Sequence, residues 1–145
     1  IQNSSVLGLI SLPFRGAYNA SKHALEGLTD TLRLELNATA IEVSLIEPGP
    51  ITSRFRANAY QQFLTNIQTE QSPFRALYAR LSKRLSNDLT DPPFTLGPEA
   101  VEKALLHALE AKKPQARYYV TFPTHMFALL KRSLTHRLLD KILLR

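Results

Sequence analysis

The sequence predicts an α/β fold built around a parallel β-sheet. Residues 1–7 look like the final part of a buried strand, residues 17–38 carry small and apolar side chains at helical spacing, and residues 41–46 form a β-branched run. A strand, a helix and a second strand within about 45 residues are typical of a parallel crossover unit. Because such crossovers are right-handed, we expect the helix to cover one face of the sheet.

Breaks in periodicity divide the chain into four segments. These are residues 1–52, 53–96, 97–123 and 124–145. The second segment contains Pro73, Pro92 and Pro93 and predicts a substrate loop or lid with short helices of its own. The third predicts a closing helix from Gly97 to about Lys112 and a last strand over residues 117–122, stopped by Pro123. The fourth predicts one basic amphipathic C-terminal helix.

Composition limits the classes of function. The 145 residues contain no cysteine, which excludes disulfide and thiolate chemistry and gives no support to an oxidising compartment. We therefore expect a cytoplasmic protein. The net charge of +6 could serve nucleic acid, anionic lipid or an anionic cofactor. No aromatic or glycine-rich nucleic-acid motif accompanies the charge, so solvated helix faces are favoured and no nucleic-acid partner is expected.

Tyr18 and Lys22 lie four residues apart near the start of the predicted helix, so both side chains project from the same helix face. A phenol is a poor base at neutral pH, but an ammonium group one turn away stabilises the phenolate. The pair can therefore exchange a proton with an alcohol or carbonyl oxygen. Because this spacing also occurs by chance on solvated helix faces, the pair alone does not identify an enzyme.

Ser5 lies thirteen residues before Tyr18, at the predicted end of the first strand. The intervening loop is long enough to bring its hydroxyl beside the phenol at the carboxyl edge of the sheet, where ligands bind in open α/β folds. Ser4 is the weaker candidate, because neighbouring strand residues point to opposite faces. The alternative for Ser5 is a hydroxyl bonded to its own backbone.

A proline-rich turn, Glu-Pro-Gly-Pro-Ile-Thr at residues 47–52, directly follows the second predicted strand. It therefore lies at the same edge of the sheet as Ser5. Pro48, Gly49 and Pro50 predict a tight turn whose backbone groups can bond an amide, and Thr52 adds a hydroxyl. Taken alone, the same residues are explained as a turn that ends a strand.

Together these motifs resemble the short-chain dehydrogenase/reductase family. The matching runs are Asn3-Ser4-Ser5 with Gly8, then Tyr18-Asn19-Ala20-Ser21-Lys22, then Ile46-Glu47-Pro48-Gly49-Pro50-Ile51-Thr52. Residues 96–101 and Arg117-Tyr118 resemble the family's closing helix and last strand less specifically. The resemblance implies an incomplete three-layer α/β/α fold, the C-terminal half of a Rossmann-like doubly wound parallel sheet.

The resemblance also implies a function, reversible hydride transfer between NAD or NADP and an alcohol/carbonyl pair, whose hydride chemistry belongs to the cofactor. It implies that Ser5 orients the substrate, that Tyr18 is the acid/base, and that Lys22 also bonds the nicotinamide ribose. Cofactor contacts are implied for Tyr18, Lys22, Pro48, Gly49, Ile51 and Thr52, with Ile51 acting through its backbone.

The sequence departs from the family at its start. Family members begin with a strand, a glycine-rich turn and a helix whose N-terminus receives the pyrophosphate. The five glycines here make no such fingerprint, and the family's Asn-Asn-Ala-Gly segment and relay asparagine are not found. We therefore expect the N-terminal dinucleotide-binding half to belong to a longer parent enzyme. On its own, the 145-residue chain is expected to bind NAD(P) weakly, and an inactive fragment is the alternative interpretation.

The partners follow from the same features. Aromatic side chains in the second segment could line a pocket for an apolar alcohol, aldehyde or ketone, or could simply anchor the loop. These residues are Phe55, Tyr60, Phe63, Phe74, Tyr78 and Phe94, and the apolar Leu77 lies among them. The C-terminal helix could touch a membrane surface, although packing against the domain or a second subunit is favoured. A full-length parent is expected to form a homo-oligomer, and no metal site is expected because the four histidines are scattered.

Overall fold

A computed structural model describes residues 1–86 and 92–144 of the chain. The polypeptide divides into two compact units. The first comprises Ile1–Ile51 and Phe94–Arg145, and the second comprises Thr52–Pro93. All strands of the described residues belong to the first unit.

The sheet of the first unit has three parallel strands in the order β1-β2-β3. They are β1 (Gln2–Asn3), β2 (Leu45–Glu47) and β3 (Arg117–Tyr119). Asn3 pairs with Ile46, and Ile46 pairs in turn with Tyr118. The predicted parallel α/β architecture is therefore confirmed.

Seven helices lie among the described residues. They are α1 (Val6–Leu9), α2 (Gly16–Glu35), α3 (Phe55–Asn66), α4 (Arg75–Ser86), α5 (Glu99–Glu110), α6 (Phe122–Ser133) and α7 (His136–Leu143). Strand alternation points Ile46 and Tyr118 towards Ala108 of α5, whereas Glu47 and Arg117 face the α2 side. The sheet is thus covered on both faces, which gives the expected three layers.

The start of the chain differs from its prediction. The strand was expected over residues 1–7, but it ends at Asn3, and Val6 begins the short helix α1. Ser5 caps that helix, since its hydroxyl oxygen accepts a hydrogen bond from the Leu7 amide at 3.2 Å. The serine cap favours a helical turn directly after the strand. Leu7 is buried in this turn.

The crossover elements are shorter than predicted. Helix α2 ends at Glu35 instead of residue 38, and the next strand begins at Leu45 instead of residue 41. Ile41 is 61% exposed, so its β-branched side chain is not part of the buried sheet. The β-propensity of residues 41–44 made the predicted strand too long. Strand hydrogen bonds form only where β1 and β3 lie beside β2.

The C-terminal region was predicted incorrectly in two respects. Strand β3 ends at Tyr119 rather than at residue 122, and Pro123 lies in the first turn of α6 instead of simply stopping a strand. The expected single helix is two helices, α6 and α7, with extended backbone at Leu134 and Thr135 between them. The break lets both helices pack apolar residues on one cluster around Leu7, Ile10 and Leu139.

The second unit consists of the helices α3 and α4. The rings of Phe63 and Tyr78 lie 5.7 Å apart between centroids, and Ser82 Oγ donates to the Tyr60 hydroxyl at 3.3 Å. These aromatic side chains therefore hold the two helices together. The predicted role of this segment as a substrate loop stays a prediction.

Candidate active site

Helix α2 brings Tyr18 and Lys22 together, as their spacing predicts. The Lys22 ammonium lies 5.8 Å from the centroid of the Tyr18 ring. Lys22 Nζ also donates a hydrogen bond to the Asn3 carbonyl at 3.0 Å, which ties α2 to the last residue of β1. The half-buried Tyr18 packs against the cluster around Leu7. The pair therefore sits at the carboxyl end of β1, where the parallel sheet favours ligand binding.

Ser5 lies two residues beyond Asn3 and is half-buried. Its oxygen accepts from the Leu7 amide, so the local backbone bond considered from sequence is present. A hydroxyl has one proton to donate and a second lone pair, so this capping bond leaves capacity for a substrate oxygen. Ser4, in contrast, is buried beneath α1 with 4% of its surface exposed.

The proline-rich turn lies next to Ser5. The Val6 amide donates to the Pro48 carbonyl at 2.8 Å, joining the two segments that follow β1 and β2. Gly49 approaches the buried Thr121 and Thr124 so closely that a methyl group on it would lie 2.8 Å from Thr124 Oγ1 and nearer still to Thr121 Oγ1. Only glycine fits this position without displacing the two threonines.

The end of the turn is held by a different contact. Pro50 accepts a hydrogen bond from the Leu96 amide at 3.2 Å, and Ile51 forms an isolated parallel bridge with Leu96. Thr52 is exposed and is the first residue of the second unit. The structure therefore joins Ser5, Pro48 and Gly49 in one unit with Tyr18 and Lys22, whereas Thr52 begins the other.

A partly buried ionic network adjoins these residues. Arg117, the first residue of β3, donates from Nη1 to Glu47 Oε1 at 2.7 Å and makes a short contact with Glu26. Its Nη2 donates to Asp30 at 2.8 Å. Glu47 is completely buried at the end of β2, directly before Pro48. One guanidinium group therefore links three carboxylates from two elements.

Burial and charge in the network shift the pKa values of Glu47, Asp30 and Arg117. Burial, together with the negative charge of Glu26, raises the pKa of Glu47 to about 7, against the opposing effect of Arg117. Partial burial alone would raise the pKa of Asp30, but hydrogen bonds and charge from Arg33 and Arg117 lower it. Burial would lower the pKa of Arg117, yet the bonds to Glu26 and Glu47 raise it above its usual range. The raised pKa of Glu47 therefore lies near neutral pH.

Sequence reasoning did not identify this network or the two threonines. A signal was present in the position of Glu47, a charged residue that ends an otherwise apolar strand before the turn. No comparable signal singled out Arg117, Thr121 or Thr124. Within residues 1–86 and 92–144, no group of histidines, cysteines or carboxylates is arranged to hold a metal ion. None of the described helices is long and apolar enough to cross a membrane.

Comparison with known proteins indicates a family. Residues 1–63 match the family model described as short chain dehydrogenase. The chain is 46% identical over 143 residues to the uncharacterized oxidoreductase YbbO of Escherichia coli (strain K12). The aligned region covers 99% of this chain and 47% of that protein. It is 37% identical over 142 residues to the NADPH-dependent 3-dehydrocapnine reductase of Ornithobacterium rhinotracheale, covering 98% and 48% respectively.

A solved structure shares the fold. The short chain dehydrogenase/reductase from Burkholderia phymatum, in complex with NAD, matches 95% of this chain and 46% of its own, with a TM-score of 0.58 at 26% identity. The chain spans about half the length of the curated relatives that it matches. With the parallel sheet, the Tyr18–Lys22 pair and the proline-rich turn in place, this chain belongs to the short-chain dehydrogenase/reductase family.

Proposed function

We propose that this chain supplies the acid/base and nicotinamide-facing part of an NAD(P)-dependent oxidoreductase that interconverts an alcohol and a carbonyl compound. The observation that carries the proposal is the position of the Lys22 ammonium, bonded to Asn3 and beside the Tyr18 ring at the end of β1. The relatives named for oxidoreductase and NADPH-dependent reductase activity support the same class of reaction.

The residues fit the nicotinamide end of such a cofactor. Lys22 has three N–H donors and uses one on Asn3, which leaves donors for the vicinal hydroxyls of a ribose. In the first unit, Pro48, Gly49 and Ile51 offer backbone groups for a carboxamide. The family resemblance assigns the Thr52 hydroxyl to the same carboxamide. When bound, the nicotinamide supplies or accepts the hydride.

The proton chemistry belongs to the chain's own side chains. In the reductive direction, Tyr18 donates its phenolic proton to the substrate carbonyl oxygen, and in the oxidative direction it takes the alcohol proton back. The positive charge of Lys22 stabilises the phenolate left on Tyr18. Ser5 donates its hydroxyl proton to the substrate oxygen and orients it towards Tyr18.

We further propose that the substrate is apolar. The aromatic side chains of residues 53–96 support this proposal, because such rings suit an apolar alcohol, aldehyde or ketone. In the second unit, Tyr60, Phe63 and Tyr78 also join α3 to α4. The proposed substrate class therefore rests on the composition of this segment.

The proposal is tested in a chimera in which this chain replaces the matching 143-residue segment of the Escherichia coli relative. Oxidation of NADH and NADPH is followed with a panel of apolar aldehydes and ketones. We expect Tyr18→Phe to lower kcat by about 10²-fold or more, because the phenolic proton is lost while the ring and its packing remain.

The matched control is Tyr119→Phe, which removes an equivalent hydroxyl from β3 and should leave kcat within about twofold. The circular dichroism spectrum should be unchanged in Tyr18→Phe, because the ring and its packing remain. The proposal is wrong if Tyr18→Phe turns over as fast as the parent chimera. It is also wrong if the parent chimera shows no NAD(P)H-dependent turnover.

A second candidate function is a surface contact made by α7. Leu138 and Ile142 are 49% and 42% exposed, and Arg137 and Lys141 lie beside them in the sequence, as in helices that lie on anionic membranes. The test is sedimentation with vesicles that contain anionic lipid. A Leu138→Ser/Ile142→Ser variant, which leaves the buried Leu139 intact, should lose binding, and equal sedimentation of both proteins would reject the candidate.

A further inference from the structure

We propose that Arg117 is a positioning residue of the active site, which holds the Tyr18–Lys22 helix in register with the proline-rich turn through Glu26 and Glu47. This inference rests on the proposed function, because it concerns the geometry of the same acid/base pair. Its support is the set of contacts that one side chain makes with two separate elements.

The first contact reaches the turn. Glu47 is completely buried, accepts from Arg117 Nη1 at 2.7 Å and immediately precedes Pro48. The Pro48 carbonyl in turn accepts from the Val6 amide, one residue after Ser5. A residue that precedes proline has little backbone freedom, so a fixed Glu47 side chain also fixes the position of Pro48. It thereby fixes the hydrogen bond between the Pro48 carbonyl and the Val6 amide.

The second contact reaches the catalytic helix. Glu26 lies four residues after Lys22 on α2, and Asp30 lies a further turn along the same face. Arg117 binds both carboxylates. Since an α-helix advances only about 1.5 Å per residue and moves as a rigid rod, holding Glu26 also sets the rotation of α2 that lets Lys22 reach Asn3.

Stability alone does not account for this arrangement. In the part of the chain that the structure describes, three carboxylates face Arg117, and only Asp30 has a second guanidinium partner, Arg33. The second oxygens of Glu26 and Glu47 are buried with no hydrogen-bond partner among the described residues. A partly buried ionic cluster of this kind is weak support for a fold, because the desolvation of the charges opposes their attraction. What it does supply is a fixed, directional geometry between α2, β2 and β3.

Substitutions of Arg117 in the chimera test the proposal. Arg117→Gln should raise the KM for NADPH about tenfold or more, because misplacement of binding groups weakens productive contacts. Its pH profile of stability should move to higher pH, since without Arg117 the burial of Glu47 opposes ionisation further. Arg117→Lys keeps the charge without the planar fork, and should recover part of both effects.

The control for simple destabilisation is Ala108→Gly, which weakens α5 on the opposite face of the sheet by about 1 kcal/mol. It should lower the melting temperature without moving the KM or the pH profile. If Arg117→Gln changes only the melting temperature, as the control does, Arg117 has a structural role alone and the proposal is wrong.

A second measurement does not need turnover. Amide hydrogen exchange of the chain, followed by mass spectrometry, should be faster over residues 18–26 and 47–51 in Arg117→Gln than in Ala108→Gly. Unchanged exchange in both segments would overturn the positioning role even in an active chimera. A chimera without turnover refutes the proposed function only, and the exchange result then decides the role of Arg117.

Discussion

At the scale of single residues, Gly8 is where α1 comes closest to the ionic network. A methyl group at this position would lie 2.6 Å from Glu26 Oε1 and 2.7 Å from Ser4 Oγ. Glu26 cannot easily retreat, because it is held by Arg117. The glycine therefore allows the chain that follows Ser5 to lie directly over the carboxylate.

Gly8→Ala should lower the free energy of unfolding by roughly 1–3 kcal/mol, the usual effect of forcing extra volume into a packed region. Gly27→Ala is the matched control, because a methyl group there meets nothing within 4 Å. Since Gly27 lies inside α2, that change should instead stabilise the protein by about 1 kcal/mol. Urea unfolding measures both, and equal effects would refute the crowding at Gly8.

The titration of Glu47 predicts how stability depends on pH. Its pKa is raised from 4.5 to about 7 in the folded protein, so the folded state keeps its proton to higher pH than the unfolded state. This group's contribution to stability is therefore fully present below pH 4.5 and is lost as the pH rises through about 7. The full change corresponds to roughly 3 kcal/mol.

Unfolding of the wild type and Glu47→Gln by urea between pH 5 and pH 8 checks this sign. The wild type should lose stability relative to the variant as the pH rises, because the amide of glutamine does not ionise. A stability difference between the two proteins that stays constant over this range would show that Glu47 does not titrate there.

At the scale of secondary-structure elements, the break between α6 and α7 decides which leucines are buried. The uninterrupted helical stripe predicted from sequence runs through Met126, Leu130, Leu134, Leu138 and Ile142. Because α7 starts afresh after Thr135, Leu139 is buried and Leu143 packs beside it, while Leu138 and Ile142 are substantially exposed. The buried face has therefore moved by one residue relative to the continuous stripe.

Leucine truncations distinguish the two registers. Leu139→Ala should lower the free energy of unfolding by roughly 2–5 kcal/mol, because it opens a cavity in the cluster that also contacts Tyr18. Leu138→Ala should change it by no more than about 0.5 kcal/mol. Urea denaturation of the two variants gives the comparison, and the reverse order of effects would support one continuous helix.

At the scale of the whole molecule, the nicotinamide-facing role that we propose for this chain is not accompanied by a glycine-rich pyrophosphate turn in its 145 residues. We therefore expect the 145-residue chain by itself to bind NADPH more weakly than micromolar. Isothermal titration calorimetry measures this directly, with the chimera as the positive control. Sub-micromolar binding by the chain alone would contradict the expectation. The homo-oligomeric state of a longer enzyme stays a prediction.

Much of the candidate site could be predicted because it depends on local spacing. Four residues on one helix are enough to bring Lys22 beside Tyr18, and two parallel strands end at the same edge whatever surrounds them. The same reasoning predicted the sheet and the helix between its first two strands. It overran the strands at residues 1–7 and 41–46, since β-propensity carries no information about where a neighbouring strand ends.

The sequence by itself determined the family and the order of strands and helices in the parallel α/β fold. It also singled out Tyr18, Lys22 and the proline-rich turn as candidate site residues. Tertiary structure alone decided how these parts are held together. Arg117 lies 91 residues from Glu26 and 70 from Glu47, so no periodicity or motif connects them. Ser5 as a helix cap, Gly49 against Thr121, and the register of α7 likewise depend on neighbours that only the folded chain brings into contact.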